Sequence, residues 1–163
     1  SAVWMCAVPP SGQGKMAARF LWTRPWQTLN ILRGFAFGQV SSSPKLNRRI
    51  FYDKSISIGK VADYMVRLAK DAEIMEDLAG VEAQMLDTSG QAPWVEGAPF
   101  KRYVLGARQD YIVDPPAILE TAKFVGASEK ATTIIDGPGH NIMLGPRWTI
   151  GAEAVLNLLE RSK

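Results

Sequence analysis

Three short apolar segments have the length and composition of buried β-strands. Residues 3–8 and 100–105 are mostly apolar, and residues 131–135 combine alanine with β-branched threonine and isoleucine. Segments with helical periodicity separate them, which is typical of a parallel sheet covered by helices on both faces. We therefore predict an α/β fold with three parallel strands and flanking helices.

The clearest helix is predicted to begin near Ser57, because apolar residues then recur at three- and four-residue spacing. Its apolar face consists of Ile58, Val61, Met65, Leu68, Ala72 and Met75. Gly80 is expected to interrupt it, and residues 81–86 to add a turn or two.

Turn residues and proline place the other helices. Pro25 is predicted to break the helical pattern of the first part of the chain, residues 41–44 to form a loop and residues 46–52 to form a short helix. A further helix is expected after Pro115 and Pro116, ending at Phe124. The last helix is predicted over residues 148–159, with Pro146 in its first turn.

The chain contains one histidine, His140, in a segment rich in glycine and proline (residues 136–146). This segment leaves the carboxyl end of the third predicted strand, where functional sites of α/β proteins gather. An imidazole there is suited to proton transfer near neutral pH. The alternative is a histidine that only packs or caps the loop.

Two carboxylates follow the second predicted strand. Asp114 directly precedes Pro115 at the start of a helix, so we predict that it caps that helix. Asp110 has no such local role and is placed to orient an imidazole. We therefore predict that Asp110, and not Asp114, contacts His140.

The spacing of these residues resembles the carboxyl-terminal part of an α/β-hydrolase, close to the lysophospholipase-like and esterase-like members of that superfamily. The matching patterns are G-x-x-x-D-x-x-V-x-P over residues 106–115, and G-x-G-H-x-x-M-L over residues 137–144, followed by Trp148. The exit V-P-P-S-G of the first strand, residues 8–12, is also similar to the strand that follows the nucleophile helix in this superfamily.

The resemblance implies that Asp110 is the acid and His140 the base of a Ser-Asp-His-type triad acting on an ester or related acyl bond. It also implies that residues 1–14 and 91–163 form the carboxyl-terminal part of the hydrolase core, and that residues 15–90 form an inserted helical cap, or lid. The implied substrate is an apolar acyl or ester compound. The resemblance implies no cofactor, and one histidine with one cysteine cannot build a zinc cluster of the common type.

The nucleophile of such a triad is missing from the sequence. A serine nucleophile stands in a G-x-S-x-G turn, and none of the ten serines has that frame. We expect the nucleophile, which in related hydrolases can also be aspartate, to lie upstream of Ser1. The chain alone is therefore predicted to be inactive, and an upstream half of the fold or another protein is expected to pair with the edge of the first strand. The alternative is a non-catalytic, hydrolase-like structural subunit of a larger assembly.

Charge is distributed unevenly along the chain. Residues 1–54 hold eight lysines and arginines against one acid, whereas residues 55–163 hold eleven basic and fifteen acidic residues, which gives +7 and −4. Aromatic residues lie among these bases at Phe20, Trp22, Trp26, Phe35 and Phe37. Such a segment is suited to an anionic membrane surface, a partner protein or an acidic or lipid-like substrate, unless the aromatic rings form the core of the cap itself.

Several other possibilities are disfavoured by the sequence. The charge comes without a nucleic-acid-binding motif, so nucleic acid is not expected as a partner. Residues 12–15, G-Q-G-K, lack the spacing of a phosphate-binding loop. The single cysteine, Cys6, is predicted to be a buried thiol within the first strand. The sequence shows no signal peptide and no membrane-spanning segment, so we expect a soluble, intracellular protein.

Overall fold

The computed structural model describes residues 1–71, 95, 97 and 99–161, and its helices and strands follow the predicted order. The strands are β1 Ala2–Met5, β2 Arg102–Ala107 and β3 Thr132–Ile135. The helices are α1 Gln13–Thr23, α2 Pro25–Phe35, α3 Gln39–Ser42, α4 Pro44–Phe51, α5 Ile58–Asp71, α6 Pro115–Phe124 and α7 Trp148–Glu160, with a short 3-10 helix at Glu129–Ala131. Among these described residues, no helix is long and apolar enough to cross a membrane.

The three strands form one parallel sheet in the order β1-β2-β3, as predicted. Val3 lies opposite Tyr103, and Leu105 lies opposite Thr133. The central strand β2 is buried from Tyr103 to Ala107. Because the strands are parallel neighbours, their carboxyl ends meet at one edge of the sheet, and the three loops that leave them lie side by side.

Helices cover both faces of this sheet, so alternate residues of β2 enter two different cores. On one face, Val104 packs in a cluster with Met16 and Phe20 of α1 and Ile118 of α6. On the other face, Tyr103, Leu105 and Ala107 pack with residues of α7, among them Leu158. Burial on both faces explains why the strand segments read as apolar runs rather than as alternating patterns.

The close approach of α6 to the sheet requires a glycine within β2. A Cβ atom at Gly106 would lie 2.6 Å from Ile118 Cγ1, so a larger residue would push the helix away. Gly126 then ends the helix region with a φ of +67°, as expected of a glycine after a helix.

Several local predictions are wrong. Residues 41–44 are not a loop: α3 ends at Ser42, and Ser43 caps α4 by accepting a hydrogen bond from Leu46 N. The turn that begins α3 is set by Gly38, at a φ of +63°, and by the Ser41 hydroxyl, which donates to Gly38 O at 2.8 Å. Pro146 lies before the last helix rather than in its first turn, because α7 begins at Trp148.

Cys6 is buried as predicted but lies one residue beyond β1, at a φ of +45°. Its N–H still donates to Leu105 O at 2.8 Å, so the pairing with β2 continues to this residue before the chain turns away. The turn at Cys6 therefore directs the chain out of the sheet at the edge where the other two loops begin.

The described part of the predicted cap, residues 15–71, is helical. Ile50 of α4 is buried in the same cluster as Val104 of β2. Of the five aromatic residues among the bases, Phe20 is buried, whereas Trp22, Trp26, Phe35 and Phe37 are exposed in the described structure, so these four do not form a core of the cap. The boundaries of the cap stay a prediction, and the turns predicted for residues 72–86 lie outside the described residues.

Candidate active site

The loops after β2 and β3 are joined at their bases. Arg108 N donates to Ile135 O at 2.8 Å, which places the end of one strand against the end of the other. The Gln109 side chain accepts from Gly137 N at 2.8 Å and donates to Asp136 Oδ1 at 3.0 Å. These contacts fix the loop that carries Asp110 relative to the loop that carries His140.

Asp110 contacts His140 directly. Asp110 Oδ2 lies 2.9 Å from Nδ1 of the imidazole, and the Asp110 side chain is fully buried. The other carboxylate oxygen accepts from Ile112 N at 2.7 Å and from Val113 N at 3.0 Å. The carboxylate is thus held in one orientation by the backbone of its own loop, and it holds the imidazole in turn.

The predicted distinction between the two carboxylates agrees with the structure. Asp114 Oδ1 accepts from Ala117 N at 3.2 Å, which caps α6. Both of its oxygens also pair with the guanidinium of Arg19, at 2.7 and 2.9 Å. Asp114 is therefore a structural residue that links α1 to α6, whereas Asp110 faces the histidine.

The end of α4 supports the histidine loop from the other side. Asn141 N donates to Phe51 O at 2.8 Å, and the Phe51 ring lies 5.8 Å from the His140 ring. A Cβ atom at Gly139 would lie 2.7 Å from the Tyr52 carbonyl carbon, so only glycine allows the loop to approach α4 this closely. Burial raises the pKa of the Tyr52 hydroxyl, which is hydrogen-bonded to Asn141.

Cys6 is the third side chain at this point, and sequence reasoning missed its position. Three atoms lie within 4.8 Å of one another: Sγ of Cys6, a carboxylate oxygen of Asp110 and a ring nitrogen of His140. Burial raises the pKa of the Cys6 thiol, and the charge and hydrogen bond of Asp110 raise it further. A signal was available, because each of the three residues follows the carboxyl end of one of three neighbouring parallel strands.

The three side chains form a hydrogen-bonded group around the Asp110 carboxylate. Burial and this carboxylate raise the pKa of the Cys6 thiol, which favours its protonated form. Asp110 and His140 are already engaged with each other at 2.9 Å. The thiol thus acts as an additional donor to a carboxylate that also accepts from two backbone N–H groups and contacts the imidazole.

A carboxylate in contact with one ring nitrogen of an imidazole is an arrangement suited to proton transfer at the other nitrogen. A carboxylate at Nδ1 keeps a proton on that nitrogen, which leaves Nε2 on the opposite side of the ring to accept a proton, and it stabilises the imidazolium that forms. The His140 side chain is 21% exposed, so the ring is accessible from outside. Within the part of the chain that the structure describes, no serine hydroxyl is hydrogen-bonded to His140.

A cavity of about 850 Å³ opens beside this pair. Its walls come from α4 and the loop after it, from Gln109 and Tyr111 of the acid loop, and from Gly137 of the histidine loop. The charged side chains in the wall are mostly basic: Lys45, Arg48, Arg49, Lys54 and Arg147, with Asp53 as the acid. The charged groups around the cavity therefore carry an excess of positive charge.

Comparison with solved structures identifies a similar fold. The chain is similar to 2-hydroxy-6-oxo-6-phenylhexa-2,4-dienoate hydrolase (BphD) from Rhodococcus sp. strain RHA1, with a TM-score of 0.57 and 18% sequence identity over 97% of this chain and 54% of that chain. It thus spans about half the length of that solved structure. No family model matches the sequence, and no curated protein matches it. The similarity concerns the fold, and it confirms the prediction: the parallel sheet and its flanking helices form part of an α/β-hydrolase fold.

Proposed function

We propose that this chain provides the acid and the base of a hydrolase that cleaves an ester or related acyl bond. The observation that carries this proposal is the contact between Asp110 Oδ2 and His140 Nδ1, at 2.9 Å, on two loops that leave adjacent parallel strands. A buried carboxylate held by two backbone N–H groups and facing an imidazole is the acid–base half of a Ser-His-Asp-type triad. The similarity in fold to a solved hydrolase supports a hydrolase in general.

In the proposed reaction, His140 Nε2 removes the proton of the nucleophile as the nucleophile attacks the acyl carbon. Asp110 keeps the other ring proton on Nδ1 and stabilises the positively charged ring. The imidazolium then gives its proton to the departing alcohol, and the same steps with water release the acid. None of the ten serines stands in a G-x-S-x-G turn, so in this proposal the nucleophile comes from a segment beside β1 that is not in this sequence.

A second candidate is a structural subunit that retains the hydrolase fold without its activity. The observation that favours it is the absence of a nucleophile motif from the sequence, together with the position of β1 at the edge of the described sheet. Such a subunit would pair through β1 with another polypeptide. Both candidates need a partner for that edge, but only the first needs Asp110 and His140.

The test separates these candidates by covalent labelling and turnover. The chain is incubated with a fluorophosphonate probe and with an activated ester, first alone and then with a separate polypeptide that supplies the proposed nucleophile segment beside β1. We expect labelling and hydrolysis only in the second case, and a loss of roughly a hundred- to ten-thousand-fold in rate for His140→Ala and Asp110→Asn.

Asp114→Asn is the matched control, because it neutralises a neighbouring carboxylate that faces Arg19 instead of the histidine. Its activity is expected to stay close to that of the unaltered protein once folding is verified. Hydrolysis by the chain alone that disappears in His140→Ala would show a nucleophile within this sequence. No labelling in either arrangement would favour the structural subunit.

A further inference from the structure

The cavity beside the Asp110–His140 pair has an organised basic wall. Lys45, Arg48, Arg49 and Tyr52 all line it, and they occupy positions i, i+3, i+4 and i+7 of α4 and the residue that follows it. Residues at this spacing share one face of a helix. One face of α4 is therefore turned toward the cavity, and its charged groups, from Lys45, Arg48 and Arg49, are all positive.

The charges of this wall are mostly not neutralised. Five cations and one acid line the cavity, which leaves a formal excess of four positive charges (5 − 1). The acid, Asp53, lies 3.9 Å from Arg147 Nε and compensates that cation. In the residues that the structure describes, the four other cations form no ion pair.

Hydrogen bonds within the protein distinguish the cations that stabilise the cavity wall from those that are available to bind a ligand. Arg48 Nη1 donates to Ile56 O at 3.2 Å, so its guanidinium braces the loop after α4. Arg49 has one long contact, to Asn30 Oδ1 at 3.5 Å. Arg49, Lys45 and Lys54 are exposed, and their donors are the ones most open to a ligand.

The cavity is also close to the candidate catalytic pair. Gln109, which lines it, is next to Asp110 in the chain, and Gly137, which also lines it, is held by the Gln109 side chain at 2.8 Å. The backbone at Tyr52 and Asp53 touches Gly139, beside His140. A ligand in this cavity thus lies next to the loops that present the acid and the base.

We propose that this cavity binds an anionic group of the substrate, a carboxylate or a phosphate, and so makes acyl compounds with a negative charge the substrate class of the site. Four cations that form no ion pair among the described residues attract an anion from a distance, and a guanidinium such as that of Arg49 binds carboxylate or phosphate oxygens through paired hydrogen bonds. This inference rests on the proposed hydrolase function, because the anion is a substrate only if the site is catalytic. Anion binding itself does not depend on turnover.

The experiment measures binding directly, with inorganic phosphate and with butyrate as separate probes, by calorimetry at low and raised salt. The single histidine gives a second readout, because its ring protons are one assignable set of NMR signals. We expect saturable binding of at least one probe, with a shift of the His140 signals, and weaker binding at raised salt. Binding of phosphate alone indicates a phosphate-bearing substrate, and binding of butyrate alone indicates a carboxylate.

The variant Arg49→Gln/Lys54→Gln removes two cavity cations, and Lys123→Gln/Lys130→Gln removes two exposed cations away from the cavity. We expect the dissociation constant to rise about tenfold or more in the first and to change less than about twofold in the second. Equal weakening in both variants, or no saturable binding of either probe, would overturn the proposal. Both variants are first compared with the unaltered protein by thermal unfolding.

His140→Ala separates failure of this inference from failure of the proposed function. Anion binding measured by calorimetry should survive this substitution, because the imidazole is not among the cavity cations. Binding that persists in a protein without fluorophosphonate labelling would leave the anion site in place and remove the hydrolase. Labelling without anion binding would support the hydrolase and overturn the anion site.

Discussion

Substitution of Cys6 tests the arrangement of the three side chains at the strand ends. The thiol is buried, 4% exposed, and its hydrogen bond and electrostatic contact with Asp110 follow burial as causes of its raised pKa. In the unfolded chain the same thiol titrates near its ordinary value of 9.0. The folded protein therefore holds a proton that the unfolded chain releases in alkaline solution.

The direction and size of the effect follow from this difference. Above about pH 9 the unfolded state binds fewer protons than the folded state, so the free energy of unfolding falls as the pH rises. For one thiol that stays protonated in the folded protein, the loss between pH 8 and pH 10 is about 1.4 kcal/mol. Cys6→Ala and Cys6→Ser lack the titrating group and should not show this loss.

Urea unfolding at pH 8 and pH 10 measures the effect for the three proteins. The quantity of interest is how the difference in unfolding free energy between the unaltered protein and Cys6→Ala changes with pH, because other groups, such as Tyr52, contribute equally to both. Cys6→Ser keeps a donor for Asp110 and should be the more stable of the two variants at pH 8. A difference that is the same at both pH values would refute the conclusion that the Cys6 thiol stays protonated in the folded protein.

Substitutions of Gly139 and Asp114, each with a matched control, test the surroundings of the site. Gly139→Ala brings a Cβ within 2.7–2.9 Å of the backbone of residues 52–53 and should destabilise the protein by about 1–3 kcal/mol in urea unfolding, with the histidine signals displaced. Gly59→Ala is the control, because Gly59 lies in α5 and its added methyl would meet no atom within 4 Å. This substitution should stabilise the protein by about 0.5–1 kcal/mol. An equal loss of stability in both variants would refute the argument from close approach. Asp114→Ala should cost about 2 kcal/mol, of which about 1 is the helix cap and the rest the pair with Arg19. In an Arg19→Ala background, loss of Asp114 should cost less, and an unchanged cost would remove the contribution of the ion pair.

The positions of Asp110 and His140 were predictable because they depend on local and topological rules. Asp114 stands directly before Pro115, and a carboxylate at that place caps a helix regardless of the rest of the fold. That assignment left Asp110 for the histidine. Adjacent parallel strands then bring the two loops together whatever the details of their packing.

Cys6 and α3 were not predictable because their structure depends on residues outside the short segments themselves. The apolar run of residues 3–8 hides the turn at Cys6, where φ reaches +45°, and pairing with β2 rather than composition decides where β1 ends. The sequence of α3, Q-V-S-S, has no helical pattern of its own. It is helical because Gly38 turns the chain and neighbouring helices pack against it, and neither contact can be read from four residues.

The basic cavity could not be predicted from the sequence, because its lining residues come from segments that only the fold brings together. The sequence shows the excess of positive charge in residues 1–54. It does not show that α4 turns one basic face toward the histidine loop. Ile50 fixes that helix in the core, while Phe51 O accepts a hydrogen bond from Asn141 N. The same helix carries the cations and supports the loop of His140. If both proposals hold, a bound anion would contact the helix that positions the base, and charge recognition and proton transfer would share one support although their residues are far apart in the sequence.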